Sequence, residues 1–285
     1  AEMTTFALIH GAWHGGWCYG PTADVLRAKG HKVYAPSLTG LADRSHLLST
    51  SITLDTHIDD IVNLFKWEDI DNAVLVGHSY GGGVTLEAAL RYPDRVSGLV
   101  LVCPVTGLPD APETGPAPAK SLPLPLRIPA LAEAGIAASA TNPLVTGPLM
   151  SSFMHKTELM TPEHVATIQA PFARKGMTPA MASWFVQFME GDPQAKSAQR
   201  DLVKANSVPA ELIWGEMDTV TPIAQGDDLA ALMAIKQFAR MPGIGHMPQL
   251  EDPAAFKALL AASLKRLNSG AFSGWSLRGD IASAN

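Results

Sequence analysis

The chain has 285 residues, 47% of them hydrophobic and 17% charged, with a formal net charge of −6. That balance belongs to a globular protein with a sizeable core, and the absence of any dense basic run removes the electrostatic footprint of a nucleic-acid binder. A small-molecule partner is expected instead.

No apolar run reaches the roughly 18 residues that a membrane span needs. Cys18 and Cys103 lie far apart with no Cys/His cluster near either, so neither a disulfide framework nor a metal site is expected. They read as small buried hydrophobes in a reducing compartment. Ala1 to Thr5 carry neither the charged n-region nor the apolar h-region of a signal peptide, which gives a cytoplasmic expectation.

In chain order, Phe6 to Ile9 predict a buried strand that runs directly into the glycine-rich loop His10-Gly11-Ala12-Trp13-His14-Gly15-Gly16-Trp17. Glycines there allow close backbone approach to a ligand, and the aromatic residues can wall a pocket. Thr22 to Lys29 read as a helix stopped by Gly30, and His31 to Ala35 as a strand closed by Pro36. Ser37 to Ser49 form a polar loop. Leu54, Ile58, Ile61, Val62 and Phe65 then fall at helical spacing.

Val74 to Val76 predict a short buried strand, followed at once by Gly77-His78-Ser79-Tyr80-Gly81 and a helix over Val84 to Tyr92. A glycine on each side of the serine lets the chain turn sharply from strand to helix and lifts the hydroxyl clear of the sheet, a nucleophile elbow. Gly98 to Val102 are one more apolar strand. Strands alternating with helices in this way predict a mostly parallel sheet covered on both faces.

The pattern breaks after Pro104, where ten prolines up to Pro148 leave no room for regular sheet or long helices. Met150 to Ala198 read as helical and rich in Phe, Trp and Met, some filling a small core and others lining a hydrophobic pocket. Alternation resumes with strands at Glu211 to Gly215 and Lys236 to Met241. Thr221-Pro222 read as an N-cap and first helical residue, and Asp252-Pro253 open a final helix with Phe256, Leu260, Leu264 and Leu267 on one face. The organisation expected is therefore a core over 1–104 and 208–267, an inserted helical cap over 105–207, and a tail over 268–285 whose Phe272, Trp275 and Leu277 could dock on the body.

Three strand ends offer the side chains of nucleophilic catalysis. A serine hydroxyl needs a base to take its proton, and the base needs a third group to orient it. Ser79, Asp218 and His246 occur in that order, the order of α/β-hydrolases rather than of chymotrypsin-like or subtilisin-like enzymes. Glu216, Asp227 and Asp228 stand near Asp218 as competing carboxylates. Backbone N–H groups of Ala12 and Tyr80 are the expected oxyanion donors. His10 and His78, which flank these positions, are assigned supporting hydrogen bonds.

These motifs, together with Leu38-Thr39-Gly40-Leu41 and Gly245-His246-Met247, resemble the plant methylesterase and hydroxynitrile lyase branch of the α/β-hydrolase superfamily. The loop Thr39 to Leu47 is similar to bacterial carboxylesterases of that branch, some of which hydrolyse pyrethroid-type esters. The likeness covers about Thr5 to Pro104 and Val208 to Leu267 and is poor in the cap. It implies an α/β-hydrolase fold and a cofactor-independent serine carboxylesterase. The Phe, Trp and Met content of the cap points to an ester with a bulky apolar portion, with Trp13, Trp184, Phe185 and Met247 expected at the pocket. Lyases of the branch usually carry threonine at Gly11, cysteine at Tyr80 and lysine at Met247, so a carbon–carbon lyase is the lesser alternative. A weakly hydrolytic ligand receptor is the other. The residues leave the oligomeric state open.

Overall fold

The computed structural model describes residues 3–108 and 122–268. The expected tail lies outside the described residues apart from its first position, and so does the proline-rich stretch 109–121.

Six strands build one parallel sheet: β1 (Thr5–Ile9), β2 (Lys32–Tyr34), β3 (Ala73–His78), β4 (Val96–Val102), β5 (Ala210–Gly215) and β6 (Phe238–Met241). Their order across the sheet is β2-β1-β3-β4-β5-β6. The strands that read as continuous apolar runs are the central ones. Phe6 to Ile9 and Leu99 to Val102 have no exposed surface at all, as a parallel sheet covered on both faces requires.

The helices of the core are α1 (Gly20–Ala28), α2 (Leu54–Trp67) and α3 (Tyr80–Arg91). Right-handed crossovers put α1, which follows a step to one side of β1, on the face opposite α2 and α3, which follow steps the other way. α3 begins four residues earlier than its sequence suggests, directly after Ser79, with Gly81, Gly82 and Gly83 buried inside it. The three glycines are dictated by packing rather than helix propensity. A Cβ on Gly81 would lie 2.3 Å from the His10 carbonyl oxygen, and one on Gly83 2.1 Å from that of Val105.

Between β4 and β5 the chain leaves the sheet and forms short helical pieces: α4 (Pro129–Ala138), α5 (Thr146–Ser151), α6 (Pro162–Gln169), α7 (Met177–Glu190) and α8 (Arg200–Lys204). The expected helical stretch is thus broken by turns, with α7 its longest piece. β4 and β5 nevertheless pair directly, Leu99 opposite Ala210, so the insertion leaves the sheet uninterrupted.

The last part holds α9 (Ile223–Leu232), α10 (Pro248–Glu251) and α11 (Pro253–Asn268). One expectation needs correction here. Pro222 is the N-cap of α9 and the helix starts at Ile223, because the Thr221 hydroxyl is used elsewhere, donating to Asp218. No helix among the described residues is long and apolar enough to cross a membrane.

Candidate active site

Strand order reverses direction between β1 and β3, and the crevice at the carboxyl ends of these strands is where open α/β sheets place ligands. The loop holding Ala12 leaves β1 there, and Ser79 leaves β3 beside it. Ser79 has φ 53° and ψ −123°, a strained conformation for a residue with a side chain. Bonds on both sides hold it: its N–H donates to Val102, and its carbonyl accepts from Gly82, Gly83 and Val105. Gly77 makes the turn fit, since a Cβ there would lie 2.3 Å from the Thr85 hydroxyl.

The Ser79 hydroxyl lies 2.8 Å from His246 Nε2, and His246 Nδ1 lies 2.8 Å from Asp218 Oδ2. All three residues are buried. Asp218, which follows β5, also accepts from the backbone N–H groups of Val220 and Thr221 and from the Thr221 hydroxyl, each at 2.8 Å. Burial works to raise its pKa, but the His246 hydrogen bond and charge and the Thr221 bonds outweigh it and hold the carboxyl below the usual range. A carboxylate so fixed can orient an imidazole and stabilise its cation, and an imidazole so oriented can take a proton from a hydroxyl. Of the carboxylates near Asp218 in sequence, Asp228 pairs with Arg200 and Asp227 with Arg240, away from His246.

Among the described residues no acceptor takes the N–H of Ala12 or of Tyr80. The approach of the two loops is close: a Cβ on Gly11 would lie 3.0 Å from Ser79 Cβ and 2.9 Å from His78 Nδ1. Tyr80 is anchored by its hydroxyl, which donates to His57 Nδ1 at 2.7 Å, while His57 Nε2 donates to the Thr39 carbonyl.

The flanking histidines make the expected supporting bonds. His10 Nε2 accepts from the Leu38 N–H, so Nδ1 carries the proton and donates to the Gly11 carbonyl at 2.7 Å. His78 Nε2 donates to the His246 carbonyl at 2.7 Å. Burial pushes His10 down to about 4 and His78 well below the ordinary histidine range, so both serve as neutral hydrogen-bonding groups.

Trp13, at a positive φ of 65°, joins the loop to the insertion. Its ring stacks on Phe185 at 6.4 Å and meets Trp184 edge-on at 5.9 Å and Phe172 at 6.2 Å. Trp184 also meets Tyr80 at 5.3 Å, so α7 lies over the elbow. Met247 is buried in a second cluster with Met150, Met154, Met160 and Ile168, which Trp13 and Trp17 also touch.

Thr221, read as a helix cap, bonds Asp218 instead, and two residues with roles here escaped the sequence reading: Gln249 within reach of His78, and Glu251 beneath the His246 loop. The segment Gly-His-Met-Pro-Gln-Leu-Glu placed the last two near the histidine, but nothing in it said which way they turn. Cys103 Sγ, Asp218 and His246 lie close enough together to resemble a metal-ligand set. The Asp218 and His246 atoms are already bonded to each other, and burial and the Asp218 charge push the thiol pKa far up, which disfavours the thiolate a metal needs.

Known proteins resemble this chain in sequence and in fold. A carbendazim hydrolyzing esterase of Nocardioides sp. (strain SG-4G) is 48% identical over 98 residues, 34% of this chain and 40% of that protein. A pyrethroid hydrolase of Sphingobium wenxiniae is 33% identical over 115 residues, 39% of this chain and 40% of that protein. The matched part therefore spans about two fifths of the length of these curated relatives. A solved structure of a meta-cleavage product hydrolase from Pseudomonas fluorescens IP01 superposes with a TM-score of 0.74 over 94% of this chain and 93% of that one, at 21% identity, a likeness of fold alone. Residues 6–259 match the alpha/beta hydrolase family, and the chain belongs to that family.

Proposed function

We propose that this hydrolase is a serine carboxylesterase that cleaves a hydrophobic ester through an acyl-enzyme. Ser79 attacks the ester carbonyl while His246 takes its proton. His246 then gives that proton to the departing alcohol, Asp218 holding the imidazole throughout. Water attacks the acyl-enzyme by the same route and restores Ser79. The observation that carries the reading is a serine hydroxyl 2.8 Å from an imidazole that is itself 2.8 Å from a carboxylate, with the N–H groups of Ala12 and Tyr80 left without acceptors in the two loops that meet there. Donors without an acceptor suit a site where negative charge develops, and the tetrahedral oxyanion is such a charge.

The insertion, residues 105–207, is read as a cap over this site. Trp13, Phe172, Trp184 and Phe185 supply an apolar wall suited to a bulky ester rather than a short one. The names of the two relatives, an esterase and a pyrethroid hydrolase, point the same way. The lyase alternative is disfavoured by two residues. A larger side chain at Gly11 would press on Ser79 and His78, and Met247 has no charge to stabilise a departing cyanide.

Ser79→Ala tests the reading. Hydrolysis of 4-nitrophenyl butyrate should fall by about four orders of magnitude or more in kcat, with the melting temperature little changed. Retention of most of the activity would sink it.

A further inference from the structure

The reaction above needs His246 in one place, and the bonds that fix its backbone come from an unexpected quarter. Three successive N–H groups, those of Gly245, His246 and Met247, all have acceptors outside their own loop. The Gly245 N–H lies 3.0 and 3.1 Å from the two oxygens of Glu251, and that of Met247 lies 3.3 Å from Glu251 Oε1. The His246 N–H donates to the carbonyl of Phe153, in the cap, at 2.9 Å.

Glu251 is only 3% exposed, and its second oxygen also reaches the cap. Oε2 accepts from the N–H groups of His155 at 2.9 Å and Lys156 at 3.0 Å. The two segments touch: a Cβ on Gly245 would lie 2.6 Å from the His155 nitrogen. Four backbone donors from two parts of the chain thus converge on one buried carboxylate. Each such charge-assisted bond is roughly twice as strong as a neutral one.

We propose that Glu251 is a positioning residue that locks segment 153–156 of the cap to the His246 loop, making the cap part of the catalytic centre rather than a cover over it. The inference rests on the esterase reading. It follows that this corner of the cap stays closed during turnover and that substrate enters past another part of it. Loss of the carboxylate frees the loop, and a shift of His246 by a fraction of an ångström breaks the 2.8 Å contact with Ser79 on which proton transfer depends.

The test uses the full chain and the variants Glu251→Gln, Lys156→Pro and Ser79→Ala, with active sites counted by completed reaction with a fluorophosphonate. Gln keeps the shape of Glu251 but turns an NH2 group toward N–H donors. Pro removes the Lys156 N–H, and with the side chain its 3.4 Å bond to the Glu251 carbonyl, at a position whose φ of −89° lies near the proline range. The expected result on 4-nitrophenyl butyrate is a fall in kcat per titrated site of at least tenfold in both variants, with KM within about threefold of the parent.

A smaller fall per titrated site in either variant overturns the proposal, whatever happens to the melting temperature, because a purely structural role lowers the number of sites and not their turnover. Should a variant yield no titratable sites, amide exchange in the parent protein decides. Exchange of the His155, Lys156 and Gly245 amides at the rate of an open loop overturns the tie, and strong shared protection supports it. Turnover surviving in Ser79→Ala would instead defeat the esterase reading.

Discussion

His10 shows how much a single side chain can decide here. Its Nε2 is occupied by the Leu38 N–H, so its one proton is committed to the Gly11 carbonyl. The Gly11 carbonyl and the Ala12 N–H belong to the same planar peptide and point in opposite directions. Holding the oxygen therefore aims the N–H. Without that hold, Gly11, which has no side chain to resist rotation, could turn the peptide over and present an oxygen where the proposed oxyanion would form. We expect His10→Ala to lower kcat by about tenfold to a thousandfold, the range for losing one oxyanion donor, with little change in KM. Affinity for a trifluoromethyl ketone, which mimics the tetrahedral adduct, should fall in parallel. A variant that keeps both its kcat and its affinity for the ketone would show that the peptide is held by other means.

At the scale of elements, α3 is tied to the far end of the insertion by Glu87, which has no exposed surface. Its oxygens accept from Arg91 Nε at 2.7 Å and from the backbone N–H groups of Lys196 at 3.1 Å and Ser197 at 2.6 Å. Removing it leaves buried donors without acceptors, so Glu87→Ala should cost about 3 kcal/mol of stability in urea unfolding. Asp55 meets the other end of the same Arg91 at 2.6 Å but is 65% exposed, and Asp55→Ala should cost less than about 1 kcal/mol. Equal losses in the two variants would refute the assignment. Glu87 and Glu251 also mark where the sequence ceased to be legible. The central strands showed themselves as apolar runs because a doubly covered parallel strand has no polar face, and Ser79, Asp218 and His246 stood out because each follows an expected strand. A buried carboxylate that accepts backbone N–H groups from a segment distant in sequence looks, in the sequence, like any other glutamate in a helix. The insertion between β4 and β5 was least legible of all. Its short helices carry apolar residues on faces set by what they cover, and Met247, expected at the pocket, is packed within a methionine cluster.

The molecule as a whole carries an acid sensitivity that follows from its buried histidines. His10, His14, His57 and His78 are each no more than 2% exposed, and burial lowers the pKa of every one. The bonds they make require the neutral ring: His10 accepts from Leu38 and His57 accepts from the Tyr80 hydroxyl, which a protonated ring could not do. The consequence for stability has a definite sign. Above the ordinary histidine range both folded and unfolded chains are unprotonated at these sites, and stability is at its full value. As the pH falls below about 6.5 the unfolded chain takes up protons that the folded chain refuses, so stability declines, and it goes on declining until the folded pKa is reached. For His10 and His14 that lower limit is about 4. The difference is on the order of 3 kcal/mol for each, a large share of the 5–15 kcal/mol typical of a folded domain. Asp218, whose folded pKa is depressed, adds a loss of the same sign at lower pH. Urea unfolding at about pH 7 and pH 5 should therefore show a drop of several kcal/mol in extrapolated stability, whereas a change within about 1 kcal/mol would mean that these histidines take up protons in the folded chain. Loss of activity in acid should accordingly track the unfolded fraction.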